Sequence, residues 1–204
     1  MVETNDRRLP VGIQSFEKIR KEGYLYVDKT DIIWQLANRN KTYHYLSRPR
    51  RFGKSVLVDT LEAYFLGKKE LFEGLKIMQL ETEWVKRPVI RLDMSRAGAE
   101  PETLRSYLNN IFRQYEKVYS LVPDPTDSLA DRFDAIIQTA YEQTGQQVAI
   151  LIDEYDSPLQ HSWKTPQHEA CTAIYREVFA ILKADDKYEK FVFITGITKF
   201  TQIS

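Results

Sequence analysis

The apolar positions of this chain fall into two kinds of run. Four are short and largely unbroken: "YHYL" at 43–46, "VIRLDMS" at 89–95 behind Pro88, "VAILI" at 148–152 and "KFVFITG" at 190–196. Their length and their β-branched and aromatic content predict strands, and Pro88 is tolerable at a strand's first position. Between them apolar residues recur at helical spacing: Ile32, Ile33, Leu36 and Ala37, then Val56, Leu57, Leu61, Tyr64 and Phe65, then Leu104, Leu108, Ile111, Phe112 and Tyr115. Asp28 or Thr30 is placed to cap the first of these helices, the second ends near Gly67, and Glu100-Pro101-Glu102 opens the third. "KKELFEGL" predicts a further short helix, "SLADRFDAIIQTAYEQTG" one stopped by Gly145, and the stretch from about His168 to Lys183 another. Strands of continuous rather than alternating apolarity, separated by helices, predict a parallel sheet covered on both faces, hence an α/β fold. No internal repeat is visible.

Composition adds bounds. At 204 residues the chain is long enough for one α/β domain and too short for two of ordinary size. It is 43% hydrophobic and 28% charged, with formal net charge +0, so any attraction to nucleic acid or an anionic surface is local. The single cysteine, Cys171, excludes an internal disulfide framework and a cysteine metal cluster, and fits a reducing cytoplasm. No apolar run approaches the ~18 residues that span a bilayer, and "MVETNDRRLP" has no apolar core of a secretory signal.

One stretch carries chemistry. In "SRPRRFGKSVLVDTL", at 47–61, Gly53, Lys54 and Ser55 stand between a strand and a helix. A phosphate-binding loop reads G-x-x-x-x-G-K-[ST], because backbone amides and the helix N-terminus must wrap the phosphates. The second glycine lets the backbone approach, the lysine neutralises phosphate charge and the hydroxyl ligates Mg²⁺. Here the first-glycine position is Arg48, where Arg48-Pro49 can make the entry turn by a proline-fixed φ. Arg48, Arg50 and Arg51 also form a basic patch able to read nucleic-acid phosphates, so the stretch admits both a nucleotide and a nucleic-acid reading.

An ATPase of this architecture needs, further on, an apolar strand ending in an acid for Mg²⁺. "VAILIDEYD" supplies Asp153 for the metal and Glu154 to orient or deprotonate the attacking water. Such acids sit at the carboxyl edge of a parallel sheet, where ligands bind. Thr195, at the end of "KFVFIT", is a candidate γ-phosphate sensor or else a threonine that merely favours strands; Lys199 is a weaker candidate.

These strings together resemble the AAA-ATPase-like proteins of bacteria, a family often encoded with a C-terminal nuclease-like domain. "LPVGIQSFEKIRKEGYLYVDKTDII", "YLSRPRRFGKSVLVDTLEAYF", "VAILIDEYDSPL" and "FVFITGITKF" carry the likeness over nearly the whole chain, and the family's own loop begins Arg-Pro-Arg-Arg. The resemblance implies a P-loop NTPase, a three-layer α/β/α fold with a mostly parallel central sheet. It also implies an added strand between the phosphate loop and the acidic strand, for which 89–95 is the candidate. It implies ATP and Mg²⁺, with Arg48, Pro49, Arg50, Arg51, Phe52, Gly53, Lys54, Ser55 and Val56 around the phosphates and Ser55 and Asp153 on the metal. It brings Tyr26, Val27 and Asp28 toward the adenine, the alternative being a plain helix cap. Residues 1–204 are then one such domain, lacking the fifth strand, lid and nuclease-like region that follow in the family.

The other functional residue types have blander readings. His44, His161 and His168 lack ligand spacing, Trp34, Trp84 and Trp163 read as core or lid anchors, and Arg176 reads as a surface helix residue rather than an arginine finger. The acid-x-Lys at Asp185-Asp186-Lys187 falls at a helix end, so no nuclease is assigned here. The expectation is therefore an ATP-driven switch or motor, with a non-hydrolysing nucleotide-binding module and a nucleic-acid-binding domain as alternatives.

Overall fold

In the computed structural model, which describes residues 8–39, 41–184 and 186–197, the four apolar runs are four strands. They are β1 (Tyr43–Ser47), β2 (Val89–Asp93), β3 (Val148–Asp153) and β4 (Glu189–Gly196). They pair in parallel in the order β1-β4-β3-β2. Outside the described residues lie positions 1–7, which carry most of the N-terminal stretch, together with Asp185 and Lys199.

The helices are α1 (Phe16–Lys21), α2 (Thr30–Ala37), α3 (Lys54–Phe65), α4 (Pro101–Val118), α5 (Leu129–Thr144), α6 (Ser157–Ser162), α7 (His168–Phe179) and α8 (Ile181–Ala184). Strand residues alternate between two cores, because successive side chains leave a strand on opposite faces. Ile90, Leu92, Ile150, Ile152, Val192 and Ile194 pack with residues of α4, α5 and α7, among them Phe112, Phe133 and Tyr175. Val89, Ala149, Leu151, Phe191 and Phe193 pack with residues of α1, α2 and α3, among them Phe16, Ile33, Val58 and Leu61. Both faces of the sheet are covered, which accounts for the unbroken apolarity of β3, buried at all its positions. No helix of the described residues is long and apolar enough to cross a membrane.

Four details depart from the sequence pattern. The strand at 89–93 lies between the phosphate-loop candidate and the acidic strand in sequence only. In the sheet it is the far edge, and β4 stands between β1 and β3. "KKELFEGL" gives only a 3-10 turn, Lys69–Phe72. The helix expected at 168–183 is divided after Phe179: Lys183 N donates to Ala180 O at 3.1 Å, a tighter turn that buries both Phe179 and Leu182. Two six-residue helices, α1 and α6, are too short to show a period; Ser15 Oγ accepts from Lys18 N at 3.3 Å to cap α1.

The capping alternatives at α2 resolve into one arrangement. Thr30 is the first helical residue, and Asp28 Oδ1 accepts from its amide at 2.9 Å and its hydroxyl at 2.7 Å. The other carboxylate oxygen accepts from Lys76 N at 2.8 Å. Burial pushes the Asp28 carboxyl up, but the bonds from Thr30 and Lys76 outweigh it and hold it below its ordinary range.

Charge also enters the core between helices. Arg132 of α5 meets Glu116 of α4 through two parallel bonds, Nε to Oε1 at 2.6 Å and Nη2 to Oε2 at 2.9 Å, and its third nitrogen donates to Asn109. Both charged side chains are more than nine-tenths buried. Removing one partner leaves the other buried and unpaired, so Arg132→Ala should lower stability by about 3–5 kcal/mol in urea denaturation. Replacing the pair together, Arg132→Met with Glu116→Leu, should recover most of that loss.

Candidate functional site

In a parallel sheet the carboxyl ends of all strands meet one edge, and here that edge collects Ser47, Gly196 and Asp153. From β1 the chain runs through residues 48–53 into α3. Gly53, the residue before the helix, is left-handed with φ 73°, and a Cβ built on it would meet no atom within 4 Å. The backbone there borders open space, as close approach of a ligand to the amides requires. The helix ladder begins with Leu57 N donating to Gly53 O at 3.0 Å, which leaves the amides of residues 54–56 outside it.

Lys54 is the conspicuous group. Its side chain is only 4% exposed, and its Nζ donates to Arg48 O at 3.0 Å and Pro49 O at 3.1 Å. Among the described residues no carboxylate forms a salt bridge with it. A buried ammonium held by carbonyls alone, at a helix N-terminus, is a strong anion attractor. Arg51 is also left-handed, with φ 67°, so the loop holds a strained non-glycine residue two positions before Gly53.

The acidic turn faces this loop. Asp153 is 2% exposed, and its Oδ1 accepts from Thr195 Oγ1 at 2.5 Å and from Glu154 N at 3.1 Å. Thr195 Oγ1 in turn accepts from Glu154 N at 3.0 Å. Glu154 has φ 49°, an uncommon conformation for a non-glycine residue that turns the chain sharply off β3 and leaves its side chain at the opening.

Between loop and turn lies a cleft of about 850 Å³. Its walls are Pro10, Val11, Gly12, Ile13, Gln14, Arg50, Arg51, Gly53, Lys54, Ser55, Val56 and Glu154. Of the residues singled out in the sequence, the fold thus brings together Arg50, Arg51, Gly53, Lys54, Ser55, Val56 and Glu154, with Asp153 and Thr195 bonded behind Glu154. Arg48 and Pro49 take part through their backbones, and Phe52 projects from the loop, 62% exposed.

Tyr26 and Asp28 are not brought to the cleft. Tyr26 packs edge-on against Phe16, ring centroids 5.0 Å apart, with its hydroxyl 3.4 Å from Thr60 Oγ1. Asp28 is occupied in the α2 cap. Residues 10–14 line the cleft instead, as a turn in which Ile13 N donates to Pro10 O at 3.2 Å. The available signal was "PVG", a Pro-x-Gly turn ahead of the first helix.

The Ser55 hydroxyl and the carboxylates of the acidic turn are hard oxygen ligands, the amides at the start of α3 are anion donors, and among the described residues no group of three or more His, Cys, Asp or Glu could hold a metal alone. Mg²⁺ is commonly held by one or two protein oxygens together with substrate phosphates and water.

Comparison with known proteins agrees in kind. A family model described as "Predicted AAA-ATPase" matches residues 10–204. An "Uncharacterized protein in vnfD 5'region" of Azotobacter chroococcum mcd 1 is 33% identical over 203 residues, covering 97% of this chain and 39% of that protein. The chain therefore spans about two fifths of the length of the curated relative it matches. No solved structure matches significantly.

Thr195 is fully buried, so its hydroxyl can be tested by near-isosteric change. Thr195→Val leaves Asp153 Oδ1 with one donor fewer and should destabilise the fold by about 1–3 kcal/mol in urea denaturation, whereas Thr195→Ser should restore most of it.

Proposed function

The chain belongs to the predicted AAA-ATPase family, and on that premise we propose that residues 1–204 form a single P-loop NTPase domain that binds ATP with Mg²⁺ and hydrolyses it. The observation that carries this reading is Lys54: a buried cation with two carbonyl partners, beside the amides of residues 54–56 and an open left-handed glycine. Triphosphate is the ligand that would satisfy all three.

In this reading the amides after Gly53 and the Lys54 ammonium take the β- and γ-phosphates, with Arg50 and Arg51 on the flank. Ser55 and Asp153 would hold the metal, which supplies charge neutralisation at the phosphates. Glu154, on the cleft wall, orients the attacking water and accepts its proton. Thr195 fixes Asp153 and the Glu154 backbone at once, so a shift of either is felt by β4. Residues 10–14, on the cleft wall, are assigned to the base, a role the family resemblance implied for Tyr26, Val27 and Asp28.

Glu154 at the cleft wall favours turnover over passive binding. Arg50 and Arg51 line the same cleft as Lys54, which favours service to the nucleotide over a separate nucleic-acid patch. The domain then acts as a nucleotide-driven switch or motor for a region outside this chain, nuclease-like by the family resemblance.

Phosphate release and binding of a fluorescent ATP analogue test the assignment. Lys54→Ala should abolish binding. Glu154→Gln should keep binding while turnover falls by about 10²–10⁴-fold. Turnover indifferent to both changes would refute hydrolysis at this site, and binding without turnover in the unmodified chain would favour the passive module.

A further inference from the structure

The third acid of "DEYD", Asp156, has no part in the assignments above, and it does not line the cleft. It is nonetheless 3% exposed, in a position where a carboxylate needs a reason to be. Its Oδ2 accepts from Ile197 N at 2.9 Å and from Gln160 Nε2 at 2.6 Å. A Cβ built on Gly196 would lie 3.0 Å from Asp156 Oδ1 and 2.9 Å from Tyr45 Oη, so Gly196 is pinched between the acidic turn and β1. Burial first, and then the charge of Asp156, push the Tyr45 phenol up, in keeping with that closeness.

The exit of β4 is thereby tied at every residue. Thr195 Oγ1 donates to Asp153 Oδ1, and Thr195 O accepts from Tyr155 N at 2.8 Å. Gly196 O accepts from Arg48 N at 3.1 Å. Ile197 N donates to Asp156, and Ile197 O accepts from Ser47 Oγ at 2.9 Å. Thr195 thus binds the acidic turn, Gly196 the entrance of the loop that holds Lys54, and Ile197 both. Arg48, whose carbonyl accepts from Lys54, is itself one of the anchors.

We propose that Asp156 is a positioning residue of the nucleotide site: by holding Ile197 and bracing Gly196 it keeps Thr195 on Asp153 and Glu154, and couples residues 195–197 to the loop that holds Lys54. The inference rests on the nucleotide reading above. Asp156 touches neither nucleotide nor water in it. Its effect runs through the backbone of 195–197, and a change of Arg48 that accompanies capture of Lys54 by phosphate is felt at the same three residues.

The test uses the 204-residue chain, with and without Mg²⁺ and a non-hydrolysable ATP analogue, and reads amide hydrogen exchange at residues 195–197 with kcat and KM for ATP. In the unmodified chain the analogue should slow exchange there by about tenfold or more, and Asp156→Ala should cut that difference to under about twofold. The same variant should lower kcat by about 10–100-fold with KM nearly unchanged, the split expected of misplacement rather than lost binding. Asp156→Asn, whose amide oxygen still accepts from Ile197 N, should rescue both readouts. Gly196→Ala, which presses a methyl into the same contact, should reproduce the loss and serves if Asp156→Ala does not fold. Nucleotide-dependent exchange and kcat that survive in Asp156→Ala or Gly196→Ala overturn the proposal. Binding of the analogue with no change at 195–197 overturns it too while leaving the nucleotide reading intact; absence of binding in the unmodified chain overturns both.

Discussion

One carboxylate oxygen, Asp153 Oδ1, is the point on which the site depends. It accepts from the hydroxyl of Thr195 on the neighbouring strand and from the amide of the next residue, Glu154. A buried carboxylate without such donors is costly. With them it is fixed, and the sharp turn that follows is fixed as well. The left-handed conformation of Glu154 is unfavourable by about 1–2 kcal/mol, so it persists only where its surroundings hold it. The bond from Glu154 N to Thr195 and Asp153 is that hold, and the outcome is an acid presented at the cleft wall rather than along the strand axis.

The sheet makes this contact possible by its order. With β4 between β1 and β3, the ends of the loop strand and the acidic strand are separated by a single strand, and Thr195 and Gly196 bridge them. On the other side of β3, Asp93 is the register partner of Asp153, and its Oδ1 accepts from Ser95 N at 3.2 Å and Ser95 Oγ at 2.6 Å.

What the sequence disclosed follows from which interactions are local. The runs that become strands, the glycine before Lys54 and the acids after β3 are all marked within a few residues of where they act, so they could be read directly. Strand order, the break after Phe179 and the approach of residues 10–14 to the loop depend on partners far along the chain, and no short-range pattern encodes them. Tyr26 and Asp28 illustrate the limit: of the two readings open for "YVDKT", a segment near a base or a plain helix cap, the acid is found in the cap of α2 and the tyrosine packs edge-on against Phe16. The same short polar groups serve caps and ligands equally well, and only burial separates the two uses.

The loop arginines acquire different meanings once placed. Arg48 contributes its backbone at both ends, its amide to Gly196 and its carbonyl to Lys54, so the entry to the loop is held by sheet-like bonding to β4. The left-handed positions of the loop are Arg51 and Gly53. Left-handed residues in a turn are one way in which backbone donors are brought to converge on an anion. Arg51 therefore pairs a strained backbone with a cationic side chain at the cleft, and an anion bound there would stabilise the charge while the surrounding loop holds the strain.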